Sequence, residues 1–353
     1  MIGEEPAGTL MSEVAKLAGV AISTVSRALA NPGRVNEKTH AKIDAAARQL
    51  GYPPNAMARG LRIGKSNTIM IVLPGSLYYG ASQVIPQILQ SINKALIQSG
   101  YNLMIANLDR GAGSERHILD LPFGGAVRGA IILSSKSPEV DGRSLASAGL
   151  PIVSMLLDMS DAGLPSVVTN DHEAVRDVTA ELIGLGHKRF LYLARPEGSY
   201  HDVERFGGVL KALDAAGMPE NAVVRSGGNL DYQQGFQIGL EAVKDFVELA
   251  EKPTAVIATS DDMAISFMSR VQGLGFRIPG DLSIVSFDGS PVCEFCSPPL
   301  STIEQPVTEM GEAAVALLLT CIEGAETSIE RRKVIPSKLI LRESMARPRI
   351  EQE

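Results

Sequence analysis

The sequence predicts a small all-α helix-turn-helix module at the N-terminus, joined to a two-lobed α/β body whose parallel sheets carry helices on both faces. Three observations point there. Short helical patterns crowd into residues 11–50. From about residue 67, short continuous apolar runs alternate with longer helical runs, as strands buried on both faces require. Charge is also divided unevenly: residues 1–66 carry a net +4, and the remainder −11 of the overall −7. A basic module on an acidic body is expected where only one end meets phosphates.

Length and composition set the bounds. At 353 residues the chain exceeds one ordinary domain, and a 45% apolar content supplies a sizeable core. No apolar stretch reaches the roughly 18 residues that cross a bilayer. The opening MIGEEPAGTL lacks a basic, then apolar, secretory pattern, and three cysteines suit a reducing compartment. The expectation is a cytoplasmic protein without a membrane contact.

Residues 1–8 are polar and are expected to form a disordered tail. The module proper is placed at 9–54. Val14, Leu17 and Ala18 fall at helical spacing before Gly19 breaks the run, and a second helix is expected over Ser23–Leu29. Two short helices crossing steeply need a small residue at the contact, tolerance of positive φ at the turn and a β-branched plug. Ala15, Gly19 and Val25 supply these. Asn36 caps a third helix from Glu37 to Leu50, with Ile43, Ala46, Ala47 and Leu50 on one face and Gly51 as its stop. Pro53-Pro54-Asn55 and a short segment, Ala56–Arg62, follow; residues 55–66 are expected to form a hinge helix and linker.

The run SEVAKLAGVAISTVSRALANPGRVNEKT, followed by LGYPPNAMARGLRIGKSNTI, resembles the headpiece of the LacI/GalR family of transcription regulators. The resemblance extends to about residue 342. It implies a periplasmic-binding-protein-like body, a homodimer and a palindromic double-stranded operator. It also implies that the second helix enters the major groove. Ile22, Ser23 and Arg27 would then face base edges, and Thr24, Ser26 and Asn31 phosphates. In the hinge it implies that Leu61 wedges into a minor-groove step, with Asn55, Ala58, Arg59 and Arg62 nearby; seven residues hold no helix alone, so folding there awaits a partner and DNA. Two positions depart from the family pattern. Ala21 stands where a Ser or Thr usually caps the recognition helix, a loss of roughly 1 kcal/mol. Gly60 interrupts the hinge helix at about the same cost.

The body, 67–353, reads as strand-then-helix units. Strands are expected at Thr68–Leu73, Asn102–Asn107, Gly129–Leu133, Ile152–Met155, Val167–Thr169, Arg189–Ala194, Val223–Arg225, Ala255–Ala258 and Leu282–Phe287, with helices between them. So many units exceed one sheet. One lobe is expected at about 67–166 and 291–325, the other at about 170–288 and 326–345. Ligands of such sheets bind beyond the carboxyl ends of strands. The candidates there are Tyr78, Tyr79, Asn170, Asp171, Arg205, Asp261 and Asp288. ERFGGVLKAL, ATSDDMA and VSFDGSP match family segments that bind effectors, which brings Arg205, Asp261 and Asp288 forward by resemblance; Ser260 departs from the usual Asn. Leu230 stands where many relatives place a stacking aromatic, leaving a sugar or a nucleoside-like effector open. Carboxylates and a guanidinium suit hydroxyl groups through charge-assisted hydrogen bonds.

Other chemistry finds no support in the sequence. Gly64-Lys65-Ser66 ends like a phosphate loop, yet Arg59 occupies the position that needs glycine. Cys293-x-x-Cys296 is half a zinc site at most, and the histidines are scattered, with His187 structural. No metal, cofactor or enzyme activity is expected. The competing reading is a solute-binding protein with no DNA role.

Overall fold

The computed structural model describes residues 11–30, 35–52, 66–74, 84–108, 113–133, 137–228, 235–324 and 330–349. They form two compact units that divide between Asn67 and Thr68. The expected N-terminal tail and hinge lie outside the described residues, apart from Ser66.

The first unit holds α1 (Met11–Ala18), α2 (Ile22–Ala30) and α3 (Glu37–Gln49). Its core is Val14, Ala15, Val25, Ala28, Ile43, Ala46 and Ala47. The turn is built as its residue types require: Gly19 adopts φ +67°, and Ala15 and Val25 are buried beside it. Asn36 caps α3 by accepting from the Lys38 amide at 3.0 Å.

The second unit begins with β1 (Thr68–Pro74), α4 (Val84–Gln98), β2 (Asn102–Leu108), α5 (Ser114–Phe123) and β3 (Gly129–Ile132). A two-residue hairpin, β4 (Glu139–Val140) and β5 (Arg143–Ser144), precedes β6 (Ile152–Met155) and β7 (Ser166–Thr169). The second lobe then runs α6 (Asp171–Leu185), β8 (Phe190–Ala194), α7 (Tyr200–Ala215), β9 (Val223–Gly227), α8 (Gly235–Glu248), β10 (Ala255–Ala258), α9 (Asp261–Gly273), β11 (Ser283–Asp288) and β12 (Ser301–Glu304). The chain ends with α10 (Val307–Ile322), β13 (Arg332–Ile335) and β14 (Lys338–Ile340).

Among the described residues there are two six-stranded sheets, ordered β13-β7-β6-β3-β1-β2 and β14-β12-β11-β10-β8-β9. Within these two sheets every pairing is parallel except β12 with β14. Alternation along β1 shows why its run is apolar throughout: Ile69, Ile71 and Leu73 face α4 and α10, while Met70 and Val72 face α5 on the other side. In the second lobe, α8 and α9 cover one face and α6 and α7 the other.

The lobe boundaries differ from the sequence reading. Residues 301–304 were expected in the first lobe, but β12 pairs with β11 in the second sheet. Residues 332–335 were expected in the second, but β13 pairs with β7 in the first. STIE and RKVI carry too few apolar residues to read as buried strands. β12 instead satisfies its hydroxyls: Thr302 donates to Asp261, and Ser301 Oγ accepts from the Arg342 amide. The chain thus crosses between lobes after Thr169, after Glu304 and between Ile335 and Lys338. Asn170 fastens the first crossing to the third by accepting from the Ser337 amide at 2.7 Å.

Candidate functional site

On α2 the described candidates separate cleanly from the core. Val25 and Ala28 are fully buried, whereas Ile22 is 52% exposed and Ser23 and Arg27 are exposed as well. Thr24 and Ser26 are half-buried. Ile22 is not part of the core, and its apolar side chain stands on a polar helix face. Arg27 Nε donates to the Ser23 carbonyl at 3.2 Å, lying along its own helix. Asn31, Asn55, Ala58, Arg59, Leu61 and Arg62 lie outside the described residues, as do Tyr78, Tyr79 and Leu230.

The remaining candidates gather at the carboxyl ends of β7, β8, β10 and β11 (Asn170 and Asp171; Arg205 at the start of α7; Asp261; Asp288). Asp171 and Arg205 are both buried, with Asp171 Oδ2 2.8 Å from Arg205 Nε. Arg205 Nη1 also donates to the Thr259 carbonyl at 2.5 Å, and its guanidinium lies 3.6 Å over the Phe287 ring. The same Asp171 carboxylate takes bonds from the Thr169 hydroxyl and from His201 Nδ1 at 2.9 Å. Burial alone would raise the Asp171 pKa; the charge of Arg205, with the His201 bond, holds it well below the usual carboxylate range. Burial pushes the His201 pKa down.

Asp261 is likewise engaged from within. Oδ1 accepts from Ser286 at 2.5 Å and Thr302 at 2.7 Å, and Oδ2 from the Ser290 amide at 2.6 Å. Its charge ties α9 to β11, β12 and the following loop. With Asn170 bonded to Ser337, four of the five described candidates, Arg205 among them, direct polar atoms into the protein itself. Asp288 differs. It is half-buried, and Gln305 Nε2 donates to Oδ1 at 2.7 Å. Burial, then the Asp261 charge, pushes its pKa up to about 7, against the pull of Arg195 and Arg205.

Several residues of this cluster were not singled out from sequence. Arg195 follows β8 and helps set the potential at Asp288. Asp202 receives Arg225 at 2.5 Å and the Arg195 amide at 3.1 Å. Arg332 of β13 pairs with Asp158 at 2.5 Å and lies near Tyr200 of the second lobe. The strand-end rule that found Asp171 could have found Arg195 and Gln305; Arg332 and Tyr200 are brought together only by the interlobe crossings. Cys293 and Cys296 are thiols whose pKa burial and the Asp261 charge push up, which removes thiolate chemistry at neutral pH. His187 bridges Thr254 and the Ala346 carbonyl, both at 2.9 Å, in a structural role. No group of three or more metal-ligating side chains occurs among the described residues, and no described helix is long and apolar enough to cross a membrane.

A helix-turn-helix unit with an unburied polar face, carried with a two-lobed body whose charged groups meet at the strand ends, defines a transcription regulator with a ligand-binding domain. Residues 10–55 match the model of bacterial regulatory proteins of the lacI family, and residues 179–345 that of a periplasmic binding protein-like domain. The chain is 31% identical over 342 residues to the HTH-type transcriptional repressor CytR of Escherichia coli strain K12, covering 97% of each. It belongs to the LacI family of bacterial regulatory proteins, and is a regulator rather than an enzyme. The lac repressor dimer bound to operator and the anti-inducer ONPF aligns with a TM-score of 0.78 at 25% identity, over 96% of this chain and 100% of that one. The CelR–cellobiose complex aligns at 0.69 with 28% identity, over the same shares.

Proposed function

We propose that the protein is a repressor that binds a palindromic operator as a homodimer and releases or tightens on it when a sugar or nucleoside-like effector enters the cleft. The exposed face of α2 carries this reading. An isoleucine left 52% exposed beside a completed core suits an apolar contact to a thymine methyl. Ser23 and Arg27 on the same face supply a hydroxyl and a guanidinium for base edges. Thr24 and Ser26, and beyond the described residues Asn31, serve phosphates; Asn55, Ala58, Arg59, Leu61 and Arg62 serve the hinge contacts.

In the cleft, Arg205 and Asp288 are the effector contacts. Asp171, Asp261 and Asn170 hold them in place rather than touching the ligand. Tyr78, Tyr79 and Leu230, which lie outside the described residues, are the further effector contacts the sequence nominates. A ligand changes operator affinity only by binding one arrangement of the lobes better than another, and crossings anchored by Asn170 and Gln305 are suited to such a change.

The test is binding to mixed-sequence duplex DNA by fluorescence anisotropy across a salt series, with Arg27→Ala alongside. The expected result is an affinity that falls steeply with salt, as released counterions require, and weaker operator selection by the variant. A protein that binds no DNA at low salt would overturn the reading in favour of a solute-binding role.

A further inference from the structure

The first lobe has a second opening, away from the cleft. Because β1, β3, β6, β7 and β13 run parallel, their amino ends share one end of the lobe, while the cleft candidates stand beyond the other. At the amino ends of β6, β7 and β13 lies a cavity of about 360 Å³, lined by Ala146, Leu150, Ile152, Leu164, Cys321 and Arg331. Sites for small molecules span about 300–1,000 Å³. Ile152 and Cys321, the latter at the end of α10, are its buried members, and Leu150 and Leu164 are half-buried. Gly149 and Gly163 bend the two loops beside it at φ +65° and +83°, and a Cβ at either would meet nothing within 4 Å.

Two observations define what it can hold. The first is a shortage of acceptors. The carbonyls of Pro151, Pro165 and Arg331 already accept from the amides of Ala130 at 2.9 Å, Ser154 at 2.8 Å and Ser166 at 2.8 Å. The Leu164 carbonyl accepts from the Ser166 hydroxyl at 3.0 Å. No acidic side chain among the described residues lines the cavity. Such walls do not suit a sugar, whose hydroxyls need acceptors. The second is Arg331. Its backbone is fixed by Ser166, and its exposed guanidinium pairs with no carboxylate among the described residues.

We propose that this cavity is a second ligand site, for a small organic anion with an apolar body, such as a short-chain or aromatic carboxylate. Leu150, Ile152 and Leu164 receive the body, and Arg331 holds the carboxylate through charge-assisted hydrogen bonds. An occupant ties β6, β7 and β13 to α10 at the end where the chain enters the lobe through β1, and so stabilises the folded protein by mass action without touching the cleft.

The test uses benzoate and hexanoate, each beside its neutral amide, on the full chain. The readout is the rate at which N-ethylmaleimide modifies Cys321, located by peptide mass spectrometry. Cys293 and Cys296 are internal controls, since they belong to the other lobe. A carboxylate is expected to slow the modification of Cys321 severalfold at millimolar concentration, and its amide to do so much less. Arg331→Gln changes only an exposed side chain; it should keep the wild-type melting temperature and lose the preference for acid over amide. Equal protection by acid and amide, or an unchanged preference in Arg331→Gln, would overturn the anion assignment. No protection by any of the four compounds would overturn the site. Where Cys321 resists the reagent in the free protein, the melting temperature carries the same comparison. A rise with a carboxylate that disappears in Arg331→Gln supports the site, whereas a rise that the variant retains, or no rise at all, overturns it.

Discussion

Replacing Arg205 with leucine should unsettle the second lobe more than any exposed change. The guanidinium and the Asp171 carboxylate are both almost wholly buried and 2.8 Å apart. Leucine removes the cation, the 2.5 Å bond to the Thr259 carbonyl and the stacking on Phe287. Asp171 keeps only Thr169 and a histidine whose own burial disfavours the charged form. Breaking a buried pair from one side costs about 3–5 kcal/mol. At about 2–4 °C per kcal/mol for a domain of this scale, the melting temperature should fall by on the order of 10 °C. Arg205→Leu/Asp171→Asn should recover much of the loss, since no buried charge is left alone. The pH dependence has a defined sign. The Asp171 pKa is depressed on folding, so the pair stabilises above the unfolded carboxyl value of about 3.9 and fades as pH falls below it. The gap between wild type and Arg205→Leu should therefore narrow in acid. Calorimetry across pH checks this. A single substitution costing under about 1 kcal/mol, or a double variant as unstable as the sum of the singles, would refute the reasoning.

Two further outcomes follow from the same geometry. The Asp288 pKa is raised on folding to about 7, so its contribution is complete below about pH 4 and is lost as pH rises through 7. The melting temperature of the wild type relative to Asp288→Asn should fall across that window; parallel profiles would contradict the assignment. Gly208 lies where a Cβ would strike the His172 carbonyl and come within 2.9 Å of the Arg176 amide nitrogen. Gly208→Ala should cost about 1–3 kcal/mol by forcing α6 and α7 apart. Gly184→Ala on α6 meets nothing within 4 Å and should gain up to about 1 kcal/mol from helix propensity. Urea denaturation of the two variants separates the effects.

Residue order alone determined the helix-turn-helix unit, because its decisive interactions are local. Gly19 must take positive φ within its own turn, Asn36 caps the helix that follows it, and Val25 reaches Ala15 across a few residues. Local sequence likewise determined the parallel strands, whose apolar runs state that both faces are covered. It also marked the strand ends where Asp171, Arg205, Asp261 and Asp288 stand. What these side chains do there was decided by tertiary structure. Asp171 and Asp261 are the same residue type in similar positions as Asp288, yet donors from distant segments, Arg205 for one and Thr302 for the other, occupy their oxygens. The same holds for β12 and β13, whose polar runs become strands because a neighbouring edge supplies hydrogen bonds. Whether a carboxylate faces a ligand or the interior depends on partners brought from more than twenty residues away, and no local pattern records that pairing.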